Sequence, residues 1–518
     1  MKKTLLFLAL LIFFIATLSG CGKCDHSYLS ECATVCQLCG TERSTDTPHS
    51  FDETPECEPR TCKGCGFVDE RYHSYETLDE EKPTLFKDGK KTEKCTVCKK
   101  YLTTKIPKLT AKELGMPAVY ITDLGGTTPI KSLEKYQGEI KVKLDYISAN
   151  GKAEDFSCYT KIKVQGASSS GYEKKNYTVK FFSDEELTKK HKVDFGWGKE
   201  NQYCLKANYV DASHARNIIG ARLSASVVKT RTDLDQNLAV APNYGLIDGF
   251  PVLVYINDTF HGLYSLNIPK DHWQFGMDGG EDTRQAILMA ANWTDSVRLM
   301  SPIGRYFVDS GWDVEYCSTN DDKWIKESFN ELISLLNCGN GEKIKKELPT
   351  HLDIGAAIDN FILTFVLNAA DNEAKNILWA TYDGVKWIPS MYDMDATFGM
   401  FWNGLPIDEV NANSIYPTVR PDGSFKLTYS YSQMYYVLLT YYPDEVEARY
   451  NELRNEIITI ENISKLFADY QSQIHDEAFK ADDLKWSPPF STENRNNMCS
   501  QTEKQLARLD DFFEKFNK

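Results

Sequence analysis

Acidic and amide side chains between Asp371 and Gly399 have the types and the spacing that phosphoryl transfer requires. The segment begins Asp371-Asn-Glu-Ala-Lys-Asn376 and ends, one short hairpin later, with Asp393-Met-Asp395-Ala-Thr-Phe-Gly399. A lone carboxylate can orient a hydroxyl group and accept its proton. An amide and two further carboxylates offer the oxygen ligands that Mg²⁺ prefers. The segment therefore predicts a base, Asp371, beside a metal site formed by Asn376, Asp393 and Asp395.

The residues between these two groups predict a hairpin that brings them together. Asn376–Tyr382 is rich in β-branched and aromatic residues, which indicates a strand. Asp383-Gly384 favours a two-residue turn, because a type I′ turn needs positive φ at both central positions. With that turn, Asn376 falls opposite Met391 on the returning strand. Asp393 is then expected close to Asn376 in space.

A purely structural explanation of the same residues stays open at this point. An Asp and an Asn at this spacing occur in many loops, and an Asp-x-Asp after a strand often forms a turn or caps a helix. Protein kinases carry an Asp, an Asn and an Asp-Phe-Gly in this order, but here Ala396-Thr397 separates Asp395 from Phe398. Spacing alone does not decide between a structural and a catalytic role.

The chain as a whole has the composition of a globular protein. Its 518 residues can form one large domain or two to three ordinary ones. Hydrophobic residues make up 42% of the chain, which excludes a collagenous or disordered composition. A formal net charge of −15 argues against a nucleic-acid partner, since such partners normally meet a basic face. The same charge leaves a basic protein substrate open.

The N-terminus has the pattern of a bacterial lipoprotein signal. Lys2-Lys3 precedes an apolar stretch from Leu5 to Leu18 that is too short to span a membrane comfortably. Leu18-Ser-Gly-Cys21 resembles a lipobox. The resemblance implies a signal peptide at residues 1–20, a lipid on the sulfur of Cys21 and an anchor on the extracytoplasmic face of the cell membrane. The alternative is an ordinary secretory signal with an incidental cysteine.

Residues 21–103 hold ten of the fifteen cysteines and contain three related repeats. The repeats are His26-Ser-Tyr with Cys32, Cys36 and Cys39; His49-Ser-Phe with Cys57, Cys62 and Cys65; and His73-Ser-Tyr with Cys95 and Cys98. One imidazole and three thiols suit a tetrahedral zinc site, so each of the first two repeats is expected to bind its own structural Zn²⁺. The third repeat lacks one thiol, and Cys24 has no evident place.

Zinc and disulfides compete as explanations of this segment. Modules this short bury little core, so a metal ion or covalent bridges must supply folding energy. Disulfides are natural outside the cytoplasm, but the recurring histidine has no role in them and, without Cys21, the number of cysteines is odd. Small zinc-ribbon-like modules that act as a spacer or binding segment are therefore favoured. The polar residues 104–116 are interpreted as the linker to the large domain.

Residues 117–518 predict an α+β domain with a strand-rich N-terminal half and a helical C-terminal half. Apolar runs and alternation predict the strands, and apolar residues at helical spacing after capping residues predict the helices. The predicted strands are 119–121, 140–144, 159–164, 176–182, 251–256 and 262–266, the last two forming a hairpin. The predicted helices are 212–228, 321–336, 353–369, 445–458, 463–478 and 502–516.

A loop of small residues precedes a strand that carries a lysine. The loop is Gly166-Ala-Ser-Ser-Ser-Gly171, and Lys180 follows on the second strand. Small residues let backbone N–H groups approach phosphates, and a lysine can pair with phosphate oxygens. Gly166, Ser168, Ser169 and Lys180 are therefore candidate nucleotide ligands. A flexible hairpin with a solvated lysine is the alternative.

Taken together, these segments resemble the CotH family, the spore-coat protein H kinases, over residues 117–515. The matching stretches follow one another in order along the chain. They are Val164-Gln-Gly-Ala-Ser-Ser, Lys174-Lys-Asn-Tyr-Thr-Val-Lys180-Phe, Leu205-Lys-Ala-Asn-Tyr-Val-Asp211 with Arg216-Asn217, Gly262-Leu-Tyr-Ser-Leu266, Asn368 to Asp371 with Asn376, and Ile388-Pro389 with Asp393 to Gly399. Several ordered motifs make this resemblance more specific than any one of them.

The resemblance implies an atypical protein-kinase-like domain that transfers the γ-phosphate of ATP to Ser or Thr of surface or spore-coat proteins. It implies that Asp371 is the catalytic Asp and that Lys180 holds the phosphates of ATP. It also implies that Asn376 and Asp393 bind Mg²⁺ or Mn²⁺, with Asp395 as a further ligand. The substrate is expected to be a Ser-rich and basic protein.

Two other functions stay open. Gln165 and Ala167 stand where the family usually has Arg and Asn, so a catalytically inactive kinase fold used as a scaffold is one alternative. The intact acidic and amide set between residues 371 and 395 argues against that alternative. The lipobox and the repeats suggest the other alternative, a surface-binding lipoprotein.

Overall fold

The computed structural model of the chain describes residues 25–54, 57–125, 128–277, 280, 283–407, 416–428, 430–487, 495 and 497–516. The predicted signal peptide, Cys21 and Cys24 lie outside these residues. The chain forms two compact units that divide between Lys108 and Leu109. In the described ranges, no helix combines the length and the apolar character needed to cross a membrane.

Strands occur in both units, whereas the α-helices of the described residues all belong to the second unit. The strands are β1 (Arg60–Thr61), β2 (Val68–Asp69), β3 (Tyr75–Glu81), β4 (Gly89–Cys95), β5 (Tyr101–Ile106), β6 (Ala118–Asp123), β7 (Ile140–Ile147), β8 (Phe156–Gln165), β9 (Asn176–Phe182), β10 (Val193–Asp194), β11 (Lys199–Glu200), β12 (Gln202–Lys206), β13 (Gly249–Ile256), β14 (Thr259–Asn267), β15 (Ala286–Ala290), β16 (Trp312–Cys317), β17 (Ile377–Thr381), β18 (Ile388–Met391), β19 (Thr418–Val419) and β20 (Phe425–Lys426). The helices are α1 (Arg216–Val228), α2 (Gln236–Val240), α3 (Lys323–Leu336), α4 (Gly341–His351), α5 (Ile354–Val366), α6 (Gln433–Tyr441), α7 (Pro443–Glu456), α8 (Ile460–Gln471), α9 (Asp476–Trp486) and α10 (Met498–Phe516). The mixed strand and helix content that the sequence predicts is confirmed.

The first unit contains three copies of one Cys-x-x-Cys turn, which begin at Cys36, Cys62 and Cys95. In each copy the residue after the second cysteine donates its backbone N–H to the carbonyl of the first cysteine, at 2.9–3.1 Å. The φ angles of these donors are 71° at Gly40, 73° at Gly66 and 64° at Lys99. Glycine adopts such angles without steric cost, so the third copy, which has lysine, keeps the turn at some cost in backbone strain.

The third repeat continues into an antiparallel sheet of β3, β4 and β5. β5 remains paired with β4 as far as Ile106, which lies opposite Gly89. Residues 104–106, which the sequence assigns to the linker, therefore belong to this sheet.

The structure groups two of the predicted zinc ligands, Cys32 and Cys57, with the ligands of the following repeat. Two groups of four bring together Cys32 with His49, Cys62 and Cys65, and Cys57 with His73, Cys95 and Cys98. The third group of the described residues is His26 with Cys36 and Cys39. The expected pairings of Cys32 with His26 and of Cys57 with His49 are thus not the ones observed.

A glycine of the second repeat explains why Cys32 of the first repeat can approach it. Gly64 lies inside the second Cys-x-x-Cys turn, and a Cβ added there would lie 3.3 Å from the sulfur of Cys32 and 3.0 Å from Ser30. The missing side chain therefore leaves room for the first repeat to approach the second.

The second unit begins with a closed barrel of seven strands in the order β12-β14-β13-β6-β7-β8-β9. On β9, Tyr177, Val179 and Phe181 point into the barrel core, and Lys180 lies on the other face, as strand periodicity predicts. The predicted hairpin is confirmed as β13 and β14. Its turn is Asn257-Asp258, whose φ angles of 48° and 58° suit a two-residue connection.

A second sheet, in the order β16-β15-β17-β18, contains the hairpin that leads to the acidic segment. Its two strands are confirmed, but the predicted register is wrong by one residue, because Ile377 and not Asn376 pairs with Met391. The turn is longer than two residues. The side chain of Asp383 accepts hydrogen bonds from the backbone N–H groups two and three residues later, both at 2.8 Å, and so stabilises a wider loop.

Several helix boundaries also differ from the prediction. The helix predicted from residue 212 begins at Arg216, because Asp211 first caps an irregular turn in which His214 has a φ of 55°. The helix predicted over 463–478 is two helices, α8 and α9, and His475 caps the second by accepting a hydrogen bond from the N–H of Glu477 at 3.1 Å. Sequence patterns do not predict α4, which contains Pro349, or α6.

Helix α5 leads the chain to Asp371 through the centre of the helical half. Asp353 caps it by accepting a hydrogen bond from the N–H of Ala356 at 2.9 Å. Every residue from Ala356 to Val366 is buried, and the helix contacts β18, α1, α6, α7 and α10. A helix that is apolar on all sides is expected in such a position.

A buried ion pair connects the start of α1 to the acidic segment. The side chains of Arg216 and Asp211 are 1% and 2% exposed and contact each other directly. Asp211 also accepts hydrogen bonds from the N–H groups of Ala215 and Arg216. The Nε of Arg216 donates to the carbonyl of Thr397 at 3.1 Å, which ties the segment after Asp395 to α1.

We expect Arg216→Met to lower the free energy of unfolding by about 3–5 kcal/mol, because it leaves the buried carboxylate of Asp211 without its partner. The double variant Asp211→Asn/Arg216→Met should recover part of this loss, since neither charge then remains and the amide oxygen can still cap α1. Urea unfolding of both variants and of the unmodified protein measures the difference. An equal loss in the single and double variants would contradict the prediction.

Candidate active site

Asp371 lies just beyond α5, in a single 3-10 turn at Ala370–Asn372. Its Oδ2 accepts hydrogen bonds from Nζ of Lys375 and from Nδ2 of Asn376, both at 2.8 Å. These donors fix the orientation of the carboxylate, while 16% of its side chain stays exposed. A carboxylate that is oriented and accessible in this way can accept a proton from a bound hydroxyl group.

Asn376 and Asp393 flank the facing ends of β17 and β18, and both have left-handed backbones, with φ of 55° and 52°. The N–H of Tyr392 donates to the carbonyl of Asn376 at 2.9 Å, which brings the two ends together. A left-handed conformation costs a non-glycine residue on the order of 1 kcal/mol, and such residues concentrate at functional sites. Because the Nδ2 of Asn376 donates to Asp371, its Oδ1 is left as an acceptor.

The side chain of Asn372 connects the ends of β17 and β18. Its side chain is fully buried. Its Nδ2 donates to the carbonyl of Tyr392 at 2.7 Å and to that of Asn376 at 3.2 Å. The loop with Asp371 and the strand end before Asp393 therefore form one hydrogen-bonded unit.

Three hydrogen bonds hold the segment that contains Asp395. One is the bond from Arg216 to Thr397. In the second, the N–H of Met394 donates to Oδ1 of Asn217 at 2.9 Å. In the third, the N–H of Phe398 donates to the carbonyl of Leu367 at 2.7 Å. Asp395 is thus positioned by α1 on one side and by the end of α5 on the other.

Asp395 is half-buried near other carboxylates. Burial, followed by the negative charges of Asp393 and Asp371, raises the pKa of Asp395 well above its usual range. Lys206 opposes this, with its Nζ 3.6 Å from Oδ1 of Asp393. Burial disfavours the charge of Lys206, but the acidic groups around it, Tyr392 and Asp393 first, outweigh burial and raise its pKa.

These side chains suit a hard divalent cation. In the described part of the chain, only the cysteine–histidine clusters gather three or more His, Cys, Asp or Glu ligand atoms within 4.8 Å, so Asp371, Asp393 and Asp395 do not form a closed site. Mg²⁺ usually keeps several waters and needs one or two carboxylates beside phosphate oxygens. Asp393 and Asp395, with Oδ1 of Asn376, provide that donor set.

Lys206 is a residue of this site that the sequence patterns do not single out. It ends β12, and its side chain is 13% exposed. Its Nζ also lies 5.8 Å from the ring centre of Tyr392. The signal that could have found it is its place in the ordered stretch Leu205-Lys-Ala-Asn-Tyr-Val-Asp211, which leads directly to Arg216.

Lys180, the lysine that the sequence predicts as a phosphate ligand, lies elsewhere on the barrel. Its Nζ contacts Glu139 at 3.1 Å, and a third of its side chain is exposed. It pairs with Gln202, four residues before Lys206, which corresponds to about 13 Å along a strand. None of its described contacts reaches residues 371–395.

The small-residue loop has a fixed shape and ends within electrostatic reach of Asp395. Gly166 has a φ of 113°, and an added Cβ would lie 2.1 Å from Oγ of Ser169, so the position requires glycine. Residues Ser168–Gly171 form a 3-10 turn. Burial and then the charge of Asp395 raise the pKa of Tyr172, the residue that follows the turn, so the loop ends near that carboxylate.

The sequence that forms this site matches a known protein family. A family described as CotH kinase protein matches residues 162–517. The chain belongs to the CotH kinase family. The match includes the small-residue loop, Lys206 and the whole of 371–399, whereas the cysteine-rich unit lies outside it. A comparison with curated proteins finds no match.

Glu373 adds a buried carboxyl group to the loop of this CotH kinase. Its side chain accepts a hydrogen bond from the hydroxyl of Thr428. Burial raises its pKa from 4.5 to about 8, although the hydrogen bond from Thr428 acts in the opposite direction. The folded protein therefore keeps this proton at pH values at which the unfolded chain releases it.

We expect Glu373 to make the protein less stable as the pH rises from about 5 to 8. The stabilisation linked to its raised pKa is complete below the pKa of this group in the unfolded chain, and it is lost as the pH rises through the pKa in the folded protein. Glu373→Gln keeps a neutral side chain at every pH and removes this term. Between pH 5 and pH 8, the free energy of unfolding of the variant should rise by on the order of a few kcal/mol relative to that of the unmodified protein. Urea unfolding at both pH values tests this, and parallel pH profiles would contradict it.

Proposed function

We propose that this CotH kinase is an active, atypical protein kinase that transfers the γ-phosphate of ATP to a serine or threonine hydroxyl of a protein. The observation that carries the proposal is the hydrogen-bonded unit that joins Asp371 and Asn376 to the strand end before Asp393. It presents an oriented carboxylate beside two strained strand ends that offer oxygen ligands. The strand-rich barrel followed by helices, with this unit between them, also supports a kinase-like fold for the second unit.

In this mechanism Asp371 accepts the proton of the acceptor hydroxyl and directs that oxygen toward the phosphoryl group. Lys375 and Asn376 keep the carboxylate in place. Asn376, Asp393 and Asp395 would hold Mg²⁺ or Mn²⁺ beside the phosphates of ATP. When bound, the cation neutralises charge on the phosphoryl oxygens. The protein contributes chiefly positioning and electrostatic stabilisation, as phosphoryl transfer requires.

We assign the pairing with ATP phosphates to Lys206 instead of Lys180. Lys206 is largely buried, carries its charge beside Asp393 and has no closer carboxylate to neutralise it among its described contacts. Lys180 is paired with Glu139. Gly166, Ser168 and Ser169 stay candidate ligands of the nucleotide, since their loop ends near Asp395.

A catalytically inactive scaffold is the second candidate, and Gln165 is the observation that favours it. Its Oε1 accepts hydrogen bonds from Thr178 at 2.9 Å and from Cys204 at 3.2 Å. The position therefore provides no cation to the phosphate side of the site, where the family usually has arginine. An inactive protein of this kind would still bind a partner through the same fold.

Phosphoryl transfer by the purified full-length chain tests the proposal. With labelled ATP, Mg²⁺ or Mn²⁺ and a basic Ser-rich peptide, we expect label on the peptide or on the protein itself. Asp393→Asn should reduce transfer by at least about 100-fold, the scale seen when one electrostatic contact to the transition state is lost. Lys206→Met should cause a loss of similar size, whereas Lys180→Met should stay close to the unmodified protein. Removal of the divalent cation with a chelator should abolish transfer.

Asp469→Asn is the matched control, because Asp469 is an exposed carboxylate of α8 that pairs only with the neighbouring Lys465 in the contacts described. Equal labelling of the Asp393→Asn protein would remove Asp393 from the mechanism. A larger effect of Lys180→Met than of Lys206→Met would reverse the assignment of the lysines. ATP binding without transfer to any acceptor would favour the scaffold.

We also infer that a lipid on Cys21 anchors the protein on the extracytoplasmic face of the cell membrane. The stretch Leu18-Ser-Gly-Cys21 supports this. In a bacterial host, the protein should be found in the membrane fraction, and the mass of its mature N-terminal peptide should include a diacylglycerol. Cys21→Ala should remove that mass. An unmodified N-terminal peptide in the original protein would instead indicate an ordinary secretory signal.

A further inference from the structure

The cysteine-rich unit contains a four-residue cluster that draws on two repeats. Cys32 of the first repeat lies with His49, Cys62 and Cys65 of the second, and their ligand atoms all lie within 4.8 Å of one another. The sulfurs of Cys32 and Cys62 are 3.5 Å apart. The sulfur of Cys65 is 3.2 Å from Nδ1 of His49.

A second cluster repeats this arrangement one repeat further along the chain. Cys57 of the second repeat lies with His73, Cys95 and Cys98 of the third. The sulfurs of Cys57 and Cys95 are 3.3 Å apart, and the sulfur of Cys98 is 3.3 Å from Nδ1 of His73. The thiol that the third repeat lacks in its own sequence is therefore supplied by its predecessor.

These separations match the edges of a zinc tetrahedron. With zinc–sulfur and zinc–nitrogen bonds of about 2.3 and 2.05 Å, tetrahedral geometry places two sulfurs about 3.8 Å apart and a sulfur and a nitrogen about 3.5 Å apart. A disulfide would need about 2.05 Å between sulfurs. The cysteines described by the structure are all free of disulfides. The donor set is a His-Cys₃ set, which is common in closed structural zinc sites.

The two shared cysteines are buried as ligands of a closed site should be. Cys32 is 6% exposed and Cys57 is 3% exposed, and their partners Cys62 and Cys95 are 2% and 0% exposed. The three Cys-x-x-Cys turns have the same backbone hydrogen bond, so the two cysteines of each turn are held in the same geometry. Gly64 provides the space that Cys32 occupies.

We propose that the cysteine-rich unit binds zinc in linked sites, in which the second and third sites are each completed by a cysteine from the preceding repeat. The third repeat is then a full zinc site and not a degenerate one. Since metal binding supplies the folding energy of such small modules, each of these two ions holds two neighbouring repeats together, while each site depends on its own four ligands.

Cysteine protection in the full-length, zinc-loaded protein tests the linkage. In Cys57→Ser, alkylation by iodoacetamide, followed by mass spectrometry, should accelerate at least about tenfold at Cys95 and Cys98. Cys62 and Cys65 should stay protected, because their site keeps its four ligands. The zinc content should fall by one ion per chain. Under within-repeat ligation the same variant would instead expose Cys62 and Cys65.

The variant Cys32→Ser should give the complementary pattern, with Cys62 and Cys65 exposed and Cys95 and Cys98 protected. Cys338→Ser serves as the matched control, since this cysteine lies in the second unit and contacts only the carbonyl of Asn340 in the contacts described. Equal exposure of both pairs in Cys57→Ser would overturn the proposal. Absence of zinc from the original protein, with the same cysteines found in disulfides, would also overturn it.

Discussion

The geometry of the candidate active site depends on the buried guanidinium of Arg216. Its charge is balanced by Asp211, and its Nε binds the carbonyl of Thr397. Two charged groups in such a dry position stabilise the fold only while both are present and their hydrogen bonds are satisfied. The pair therefore acts as a fixed point between α1 and the segment that carries Asp395. Arg216 lies ten positions after Lys206, so the same short stretch of chain places both the lysine and this fixed point.

The site itself combines features that are unfavourable in isolation. Asn376 and Asp393 have left-handed backbones, and Asp395 is half-buried near other carboxylates. Asn372, with its two hydrogen bonds to the strand ends, keeps the arrangement from relaxing. Backbone strain of this kind concentrates at functional sites, which supports the activity proposed for this member of the CotH kinase family.

The sequence predicted those features of the fold that depend on local backbone preferences. The alternation on β9, the Asn257-Asp258 turn and the strands around Asp383-Gly384 follow from backbone preferences and burial. The register of that last hairpin was missed because the side chain of Asp383 widens the turn, an interaction that the Asp-Gly pair does not reveal. The break between α8 and α9 was missed for a similar reason, because the histidine that caps α9 is not among the usual capping residues.

Contacts between distant parts of the chain escaped prediction altogether. The small-residue loop and the family resemblance suggest Lys180 as the phosphate ligand, which stays a prediction; the barrel register places it about 13 Å along the sheet from Lys206, the lysine that contacts Asp393. Spacing assigned Cys32 and Cys57 to their own repeats, since nothing in the order of thiols states which histidine each one meets. For the cysteines the residue types were identified and the partners were not, because partners are set by packing between elements.

Closure of the barrel also restricts how the protein could recognise the acceptor of the proposed phosphoryl transfer. A closed barrel has no unpaired strand edge, so an extended peptide cannot join it by β-augmentation. In the four-stranded sheet, one outer strand is β18, whose four residues are all buried, and the other is β16, separated from β17 by β15. A peptide added to β16 would run about 14 Å from Asn376, three strand spacings away. An acceptor that reaches Asp371 must therefore be selected through its side chains and the loops around it, with main-chain pairing contributing little to sequence preference.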